Sequence, residues 1–208
     1  MIYGQSGTGK SSSLRNMKPE DVALINVSAK PLPFKSKFKS LKTDNYDVIS
    51  SAIKSVPQKI IVIDDASYLM ANEFMRTVTQ KGYEKFNNMA LNFFNLIKTA
   101  ANLPDDVTVY FMGHSETNDL GAEKFKTIGK MLDDKITLEG LFTVVLKSVV
   151  QDGKYYFSTQ NNGSDTVKSP MGLFEAPLID NDLALVDKAI REYWDMPKIE
   201  EKKEKANK

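Results

Sequence analysis

The residues best suited to chemistry lie at the start of the chain, where residues 4–11 read G-Q-S-G-T-G-K-S. This string, called the P-loop below, matches the phosphate-binding pattern G-x-x-x-x-G-K-S at every fixed position. Its glycines let the backbone turn tightly, and successive N–H groups then point inward at an anion. The residues predicted to contact a nucleotide are Gly4, Gln5, Ser6, Gly7, Thr8, Gly9, Lys10, Ser11 and Ser12.

Two side chains of the P-loop have chemical roles of their own. The Lys10 ammonium is placed to stabilise charge on the β- and γ-phosphates, which makes Lys10 a predicted catalytic residue. The Ser11 hydroxyl is a hard oxygen ligand of the kind that Mg²⁺ takes beside substrate phosphates. The loop therefore predicts a nucleoside triphosphate as the substrate and Mg²⁺ as its metal.

A pair of aspartates supplies the second half of such a site. Residues 60–63 are apolar, and Asp64 and Asp65 follow directly. A carboxylate at the end of a buried strand near the P-loop organises the Mg²⁺ shell, and we assign this role to Asp64. Asp65 is the residue predicted to polarise the attacking water, with a solvated surface carboxylate as the alternative. Glu73 and Glu116 are the other candidates for the base.

A histidine completes the set of predicted catalytic residues. Residues 107–112 form an apolar run that is followed by Gly113 and then His114, the only histidine of the chain. An imidazole at the end of this strand is placed to sense the γ-phosphate and to pass the signal to the following loop. The alternative is a structural histidine that bonds to the backbone.

These residues need a frame that brings strand ends together, and the hydrophobic pattern predicts one. Short apolar runs separated by segments of helical period are typical of a parallel sheet covered by helices on both faces. The predicted strands are residues 1–3, 22–27, 60–64 and 107–112, followed by a hairpin of 142–150 and 154–158 around Asp152-Gly153. The predicted helices are residues 11–16, 46–55, 68–75, 83–101 and 182–194.

The order of these elements narrows the fold class. The acidic motif lies on the third predicted strand, which leaves room for the fourth strand to lie between the first and the third. We expect a three-layer α/β P-loop domain over residues 1–195, with a mainly parallel sheet, RecA/AAA-type strand order and a C-terminal β-hairpin. Only three residues precede Gly4, fewer than in a usual strand of about five. Either this strand is short or, as we favour, the natural start lies upstream. The charged residues 196–208 are expected to be a disordered tail.

Composition excludes several other classes of protein. The chain has 208 residues, of which 41% are hydrophobic, enough to bury a core. The absence of cysteine excludes disulfides and thiolate metal sites, and it fits a reducing compartment. A net charge of +1 means that any nucleic-acid site must be a local patch. No apolar run approaches roughly 18 residues, so no membrane span is expected.

The chain resembles a known group of proteins. Residues 4–11, 64–65 and 113–116 are similar to those of the phage-encoded AAA/RecA-like ATPases, which include single-strand annealing proteins of the Sak type. Residues 167–174 and 179–183 are similar to the C-terminal part of such proteins. The resemblance implies ATP as the nucleotide and a RecA-like core. It also implies work on single-stranded DNA in phage recombination or replication, in the cytoplasm of a bacterial host.

The resemblance also directs attention to basic segments and to a neighbouring subunit. Residues 30–42 hold five lysines, two phenylalanines and no acid, which suits phosphate contact and base stacking. The alternative is a solvated loop that its phenylalanines anchor to the core. Residues 115–131 hold three lysines in the loop that reaches DNA in RecA-like proteins. Such ATPases act as oligomers. Lys168 is the predicted cation that completes a neighbour's site, with a plain surface lysine as the alternative.

Three functions stay open from the sequence. A DNA-dependent ATPase would turn over faster with single-stranded DNA, whereas a nucleotide-gated loader or scaffold for a replication protein would respond to a protein partner. A small-molecule kinase would need an acceptor pocket and usually an arginine-rich lid, and the chain has only three scattered arginines. Glutamate is more common than aspartate at the place of Asp65 in related enzymes, so the efficiency of hydrolysis also stays open.

Overall fold

The computed structural model describes residues 1–118, 121–129 and 131–199. Within this part of the chain, nine strands form one sheet. The strands are β1 (Ile2–Gly4), β2 (Val22–Asn26), β3 (Ser40–Lys42), β4 (Ile60–Asp64), β5 (Thr108–Thr117), β6 (Glu123–Phe125), β7 (Leu146–Gln151), β8 (Lys154–Ser158) and β9 (Leu178–Asp180). The α-helices are α1 (Tyr46–Ser55), α2 (Ser67–Arg76), α3 (Glu84–Ala101) and α4 (Leu183–Tyr193).

The centre of the sheet is parallel, and its strand order follows the prediction. The strands run β3-β2-β4-β5-β1-β7-β8-β9, and β6 pairs with β5 off this path. β5 lies between β4 and β1, which confirms the RecA/AAA-type order. The register sets Gly4 beside His114 and Asn26 beside Asp64, so β1, β2 and β4 end at one edge of the sheet, next to His114 of β5. The P-loop begins at this edge.

Helices cover both faces of the sheet, as expected for strands that are apolar on both sides. In β4, Ile61 and Ile63 pack with residues of α1, α2 and α3, whereas Ile60 and Val62 pack with residues of α4. All five residues of β4 are buried. The result is a three-layer α/β domain, which confirms the predicted fold class.

Local signals account for several element boundaries. The α4 helix begins where predicted, because the Asp182 carboxylate accepts a hydrogen bond from the Ala184 N–H. The hairpin of β7 and β8 turns at Asp152 and Gly153, which both have positive φ and confirm the predicted turn. The helix after the P-loop, Ser11–Asn16, is a six-residue 3₁₀ helix.

Three short strands are not predicted by the sequence pattern. β3, β6 and β9 have three residues each, too few for a period to show, and their partners in the sheet define them. The predicted strand at 107–112 continues as β5 to Thr117, because β6 pairs with its end in antiparallel register. β7 begins at Leu146, four residues later than predicted. Residues 115–131 therefore start as paired strand and not as an open loop.

The first strand is short and deeply buried. β1 pairs on one side with residues 112–114 of β5 and on the other side with Leu146 and Lys147 of β7. All three of its residues are buried. Because β1 has only three residues, it can form few backbone hydrogen bonds. Burial of the Ile2 and Tyr3 side chains therefore contributes strongly to holding the start of the P-loop in place.

The last described residues pack onto the domain. Met196 and Ile199 contact the apolar cluster that includes α4. Residues 200–208 of the predicted tail lie outside the described residues. Among the helices that are described, none is both long enough and apolar enough to cross a membrane.

Gly113 leaves room for the Phe125 ring against β5, and its substitution tests this packing. A Cβ at Gly113 would lie 2.5 Å from Cζ of Phe125, whose ring is fully buried. Gly113→Ala is expected to lower the free energy of unfolding by about 1–3 kcal/mol, because the added methyl group overpacks the core. Urea denaturation measures the change.

Gly140→Ala is the matched control for this prediction. Its added Cβ would meet nothing nearer than the Thr137 Cβ at 4.0 Å. We expect it to change the free energy of unfolding by less than about 0.5–1 kcal/mol. Equal losses of stability for the two variants would contradict the close contact of Phe125 with Gly113.

Candidate nucleotide-binding site

The P-loop comes close to the β7–β8 hairpin at Gly4 and Gly9. A Cβ on Gly4 would lie 2.7 Å from the carbonyl oxygen of Ser148, and one on Gly9 would lie 2.8 Å from Cδ1 of Tyr155. Gly7 and Gly9 have φ angles of +82° and +94°, which other residues rarely adopt. A side chain at Gly4 or Gly9 would therefore push the loop away from the β7–β8 hairpin.

A hydroxyl pair ties the P-loop to β7. The Thr8 hydroxyl donates a hydrogen bond of 2.8 Å to the Gln5 carbonyl oxygen and shares another of 2.6 Å with the Ser148 hydroxyl. Ser148 is buried in the sheet below the loop. Thr8 and Gln5 thus hold the shape of the loop through contacts that lie behind its ligand-facing side.

Lys10 lies under the P-loop with its ammonium on the loop itself. Nζ donates hydrogen bonds to the carbonyl oxygens of Gly4 at 2.8 Å and Gln5 at 2.7 Å. Burial lowers the pKa of Lys10 to about 8, although the charges of Asp65 and Asp64 oppose the shift. An ammonium with so little water around it gains strongly from a nearby triphosphate, because screening is weak there.

Ser11 and Asp64 meet across the edge of the sheet. The Ser11 hydroxyl donates a hydrogen bond of 2.9 Å to Asp64 Oδ1. Asp64 is 5% exposed, and burial, followed by the charge of Asp65, raises the pKa of Asp64 to about 6. A cation at this point would favour the ionised carboxylate and would reverse the shift.

The donor atoms at this point fit Mg²⁺. A hydroxyl and a carboxylate oxygen 2.9 Å apart are hard ligands, and Mg²⁺ commonly completes its shell with substrate phosphates and water. Among the residues that the structure describes, no cluster of three or more histidine, cysteine, aspartate or glutamate side chains forms an all-protein metal site. The residues therefore fit a metal that is shared with the nucleotide.

Asp65 is held in the same cavity by its backbone and by two partners. Its φ angle of +60° is left-handed, which turns the side chain away from the path of β4. Oδ2 accepts a hydrogen bond of 2.6 Å from the Ser28 hydroxyl and lies 3.1 Å from Lys30 Nζ. Burial acts to raise the pKa of Asp65, but these partners outweigh it and the pKa is lowered. Asp65 is thus a paired, ionised carboxylate.

His114 lies between Asp65 and Tyr68. Its Nε2 is 3.6 Å from Asp65 Oδ1, and its ring packs edge-on against Tyr68 with 5.4 Å between the ring centroids. Nε2 is buried and has no hydrogen-bond partner among the described residues. Burial, followed by the charge of Lys10, lowers the pKa of His114, so the ring is neutral at neutral pH.

One cavity of about 260 Å³ collects most of the predicted site. The predicted residues that line it are Ser6, Gly7, Gly9, Lys10, Ser11, Ser12, Asp64, Asp65 and His114. Asn26, Ser28 and Lys30 also line it, although the sequence pattern does not assign them to the nucleotide. They lie at or after the end of β2, which pairs with β4. The strand order is therefore the signal that could have identified them.

Three predicted residues lie elsewhere in the described part of the chain. Glu73 accepts a hydrogen bond of 2.8 Å from the side-chain amide of Asn92, between α2 and α3. Glu116 lies 3.5 Å from Lys124 across β5 and β6. Lys168 is exposed and forms an isolated bridge just before β7, at the edge of the sheet opposite to the P-loop. Glu73 and Glu116 are therefore not placed to act on a nucleotide bound by the P-loop.

The basic segment at residues 30–42 is partly built into the domain. Phe34 and Phe38 pack edge-to-face, with 6.4 Å between ring centroids, and both contact the apolar cluster that includes α4. These rings are anchors, which favours that alternative over base stacking. The lysines of the segment that stay exposed are Lys30, Lys35, Lys37, Lys39 and Lys42.

The second basic segment, residues 115–131, is anchored by β6. Phe125 is fully buried, and Lys124 lies beside Glu116. Lys126 is exposed and lines a second cavity next to the nucleotide cavity. Lys130 lies outside the described residues. In the described part of this segment, Lys126 is therefore the main positive charge that is available to a partner.

The burial of Asp64 predicts a dependence of stability on pH. The pKa of Asp64 is raised from 3.8 to about 6, so the folded protein favours the protonated carboxyl group. The favourable contribution of Asp64 to the free energy of unfolding is therefore present below pH 3.8 and is lost as pH rises through 6. Asp64→Asn is expected to raise the free energy of unfolding by roughly 1–3 kcal/mol at pH 7.5 and to change it little at pH 4. Urea denaturation at the two pH values measures this.

Asp105→Asn is the control for this prediction, because Asp105 is an exposed carboxylate outside the site. It is expected to leave the free energy of unfolding nearly unchanged at both pH values. A loss of stability in Asp64→Asn at pH 7.5 would contradict the conclusion that burial destabilises the ionised form of Asp64.

Comparison with known proteins agrees with this geometry. A family model described as an AAA domain matches residues 1–170. No curated protein matches the chain. The matched residues include every residue that lines the nucleotide cavity, from the P-loop to His114. Because the match covers 1–170 of 208 residues, the chain belongs to the AAA domain family of nucleotide-binding P-loop proteins.

Proposed function

We propose that this protein is a Mg²⁺-dependent ATPase that acts on single-stranded DNA in phage recombination or replication. The observation that carries the ATPase assignment is the 2.9 Å hydrogen bond between Ser11 and Asp64, beside the buried ammonium of Lys10. It sets a hydroxyl, a carboxylate and a buried ammonium together at the mouth of the P-loop, which supports binding of a metal and a phosphate there. Membership of the AAA domain family supports the same activity.

Each residue has one task in the proposed reaction. The P-loop amides and Lys10 bind the β- and γ-phosphates, and Ser11 and Asp64 hold the metal. Mg²⁺, when bound, neutralises charge on the phosphate oxygens. Asp65 accepts a hydrogen bond from water and orients it toward the γ-phosphorus. The oxygen of water forms the new bond, the bond to the β-phosphate oxygen breaks, and the proton passes to Asp65.

Two features support the action on DNA. Exposed lysines at residues 35–42 lie on a segment without acids, which suits the phosphates of a single strand. A second cavity, of about 400 Å³, shares Ser6, Lys30 and His114 with the nucleotide cavity and adds Lys126. A DNA phosphate bound there would touch the residue that we assign to sensing the γ-phosphate. The phage setting rests on the resemblance of the chain to phage ATPases.

A loader or scaffold for a replication protein is the second candidate function. The packing of Phe34 and Phe38 against the core favours it, because these rings are then not free to stack on bases. A protein with this function would use ATP binding to control a protein contact and would have little affinity for DNA.

Substitutions of the P-loop lysine and of Asp65 test the ATPase. Lys10→Ala is expected to abolish Mg·ATP binding and to lower turnover at least about 100-fold, because the phosphates lose their buried cation. Asp65→Asn is expected to keep ATP binding and to lower turnover by about 100-fold or more. A steady-state phosphate-release assay and calorimetry measure the two effects.

The same assay distinguishes the two candidate functions. Wild-type turnover is expected to rise with oligo-dT, and Lys98→Ala, an exposed lysine of α3, is expected to match the wild type. Turnover that is unchanged by DNA but responds to a protein partner would favour the loader function. Absence of turnover in a folded wild type would contradict the ATPase assignment.

Charge reversal tests the DNA-binding segment. Lys37→Glu with Lys39→Glu is expected to weaken binding to single-stranded DNA and to lower the slope of log affinity against log salt by about 0.7 per lost contact. The matched control reverses Lys81 and Lys98, which are exposed outside this segment. A fluorescence-anisotropy titration at several salt concentrations measures the slopes. Equal slopes in the two double variants would contradict the assigned segment.

A further inference from the structure

The chain's arginines do not supply a second cation to the nucleotide cavity. Arg15 donates to backbone carbonyl oxygens of its own helix and of the segment before α4. Arg76 lies 2.6 Å from Asp44, and Arg191 lies 2.7 Å from Asp187 in a buried pair. Phosphoryl transfer commonly uses a cation on the γ-phosphate in addition to the P-loop lysine. The cation must therefore come from a lysine or from another molecule.

Lys30 lies at the mouth of this cavity, with contacts at its backbone carbonyl oxygen and at its ammonium. Its carbonyl oxygen accepts a hydrogen bond of 2.6 Å from the Asn26 amide, and Ala29 before it has a left-handed φ of +56°. Its Nζ lies 3.1 Å from Asp65 Oδ2 and 5.3 Å from the centroid of the Tyr68 ring. The backbone of Lys30 is therefore fixed, while its side chain is 61% exposed and can move.

We propose that Lys30 is a catalytic residue that contacts the γ-phosphate of ATP bound in the same subunit and leaves Asp65 when it does so. This inference rests on the proposed ATPase function and adds to it the cation that the arginines do not supply. An ion pair with an exposed lysine is weak in water. A triphosphate carries more negative charge than one carboxylate, so it competes successfully for the ammonium.

The exchange of partners links nucleotide binding to catalysis. While Lys30 lies on Asp65, Oδ2 is shared between the ammonium and the Ser28 hydroxyl. When Lys30 moves to the γ-phosphate, Asp65 keeps Ser28 and gains capacity to accept a hydrogen bond from water. ADP has no γ-phosphate, so it leaves Lys30 on Asp65. Lys30 thereby distinguishes ATP from ADP, and it assists hydrolysis only with ATP.

With Lys30 in this role, each subunit supplies both cations of its own nucleotide cavity. Lys168, the cation predicted to act on a neighbour, lies at the edge of the sheet opposite to the P-loop of its own chain, so it does not supply a cation to its own cavity. Lys10 and Lys30 both line the nucleotide cavity of their own chain. Turnover per molecule is therefore expected to be independent of protein concentration, whether or not the protein forms oligomers on DNA.

Three full-length variants test the proposal. Lys30→Met keeps the stem and removes the charge, Lys30→Arg restores a cation, and Lys98→Met is the control on α3. Calorimetry measures the affinity of each for Mg·ATPγS and Mg·ADP. We expect Lys30→Met to bind ATPγS about tenfold or more weakly and ADP within about twofold of the wild type, because one charged hydrogen bond is lost. Lys30→Arg is expected to recover most of the ATPγS affinity.

A mixing experiment tests whether the cation acts within one subunit. Lys30→Met has an intact P-loop, and Lys10→Ala has an intact Lys30. Turnover of Lys30→Met is expected to be about 100-fold below the wild type and to stay there when Lys10→Ala is added. Restored turnover in the mixture would place the cation on a neighbouring subunit and overturn the proposal.

The remaining outcomes separate this proposal from the one on which it rests. Equal losses of affinity for ATPγS and ADP in Lys30→Met, or no loss for either, overturn the role of Lys30 and leave the ATPase assignment standing. A folded wild type that does not bind Mg·ATPγS overturns the ATPase assignment and, with it, the role of Lys30.

Discussion

The hydrogen bond between Ser11 and Asp64 depends on the order of three strands. β5 separates β1 from β4, so the P-loop reaches Asp64 only by crossing β5 near His114. Ser148 and Tyr155 lie so close to Gly4 and Gly9 that neither position has room for a side chain, and the β7–β8 hairpin thus supports the loop. The site therefore exists because parallel strands end together at one edge while a hairpin fixes the loop from the other side.

The electrostatics of the site follow from placing two carboxylates and two ammoniums in one small cavity. Burial raises the pKa of Asp64 and lowers that of Lys10, which shows that neither charge is fully compensated by its neighbours. Asp65 and Lys30 differ from them because they pair directly with each other. Asp64 and Lys10, whose charges are not fully compensated, lie where a metal and a triphosphate are expected. Asp65 and Lys30, which form an ion pair, lie where a water and the γ-phosphate are expected.

Local sequence patterns predicted the parts of this arrangement that lie within single segments. The P-loop, the acidic end of β4 and the Asp152-Gly153 turn are each determined by neighbouring residues, and the structure contains all three segments. Contacts between residues that are far apart in the sequence cannot be predicted from local patterns. Ser148 lies 140 positions from Thr8, and a local pattern does not show that they meet. The sequence pattern places Lys30 in a basic segment, and only the pairing of β2 with β4 reveals that it faces Asp65.

The central claim is that the P-loop, Ser11 and Asp64 together hold a nucleotide and its metal. A crystal structure of the full chain with Mg²⁺ and ATPγS tests it most directly. We expect a triphosphate on the P-loop amides, with the metal bound to the Ser11 hydroxyl and Asp64 in its ligand shell or one water away. A metal or triphosphate bound away from Ser11 and Asp64 would contradict it.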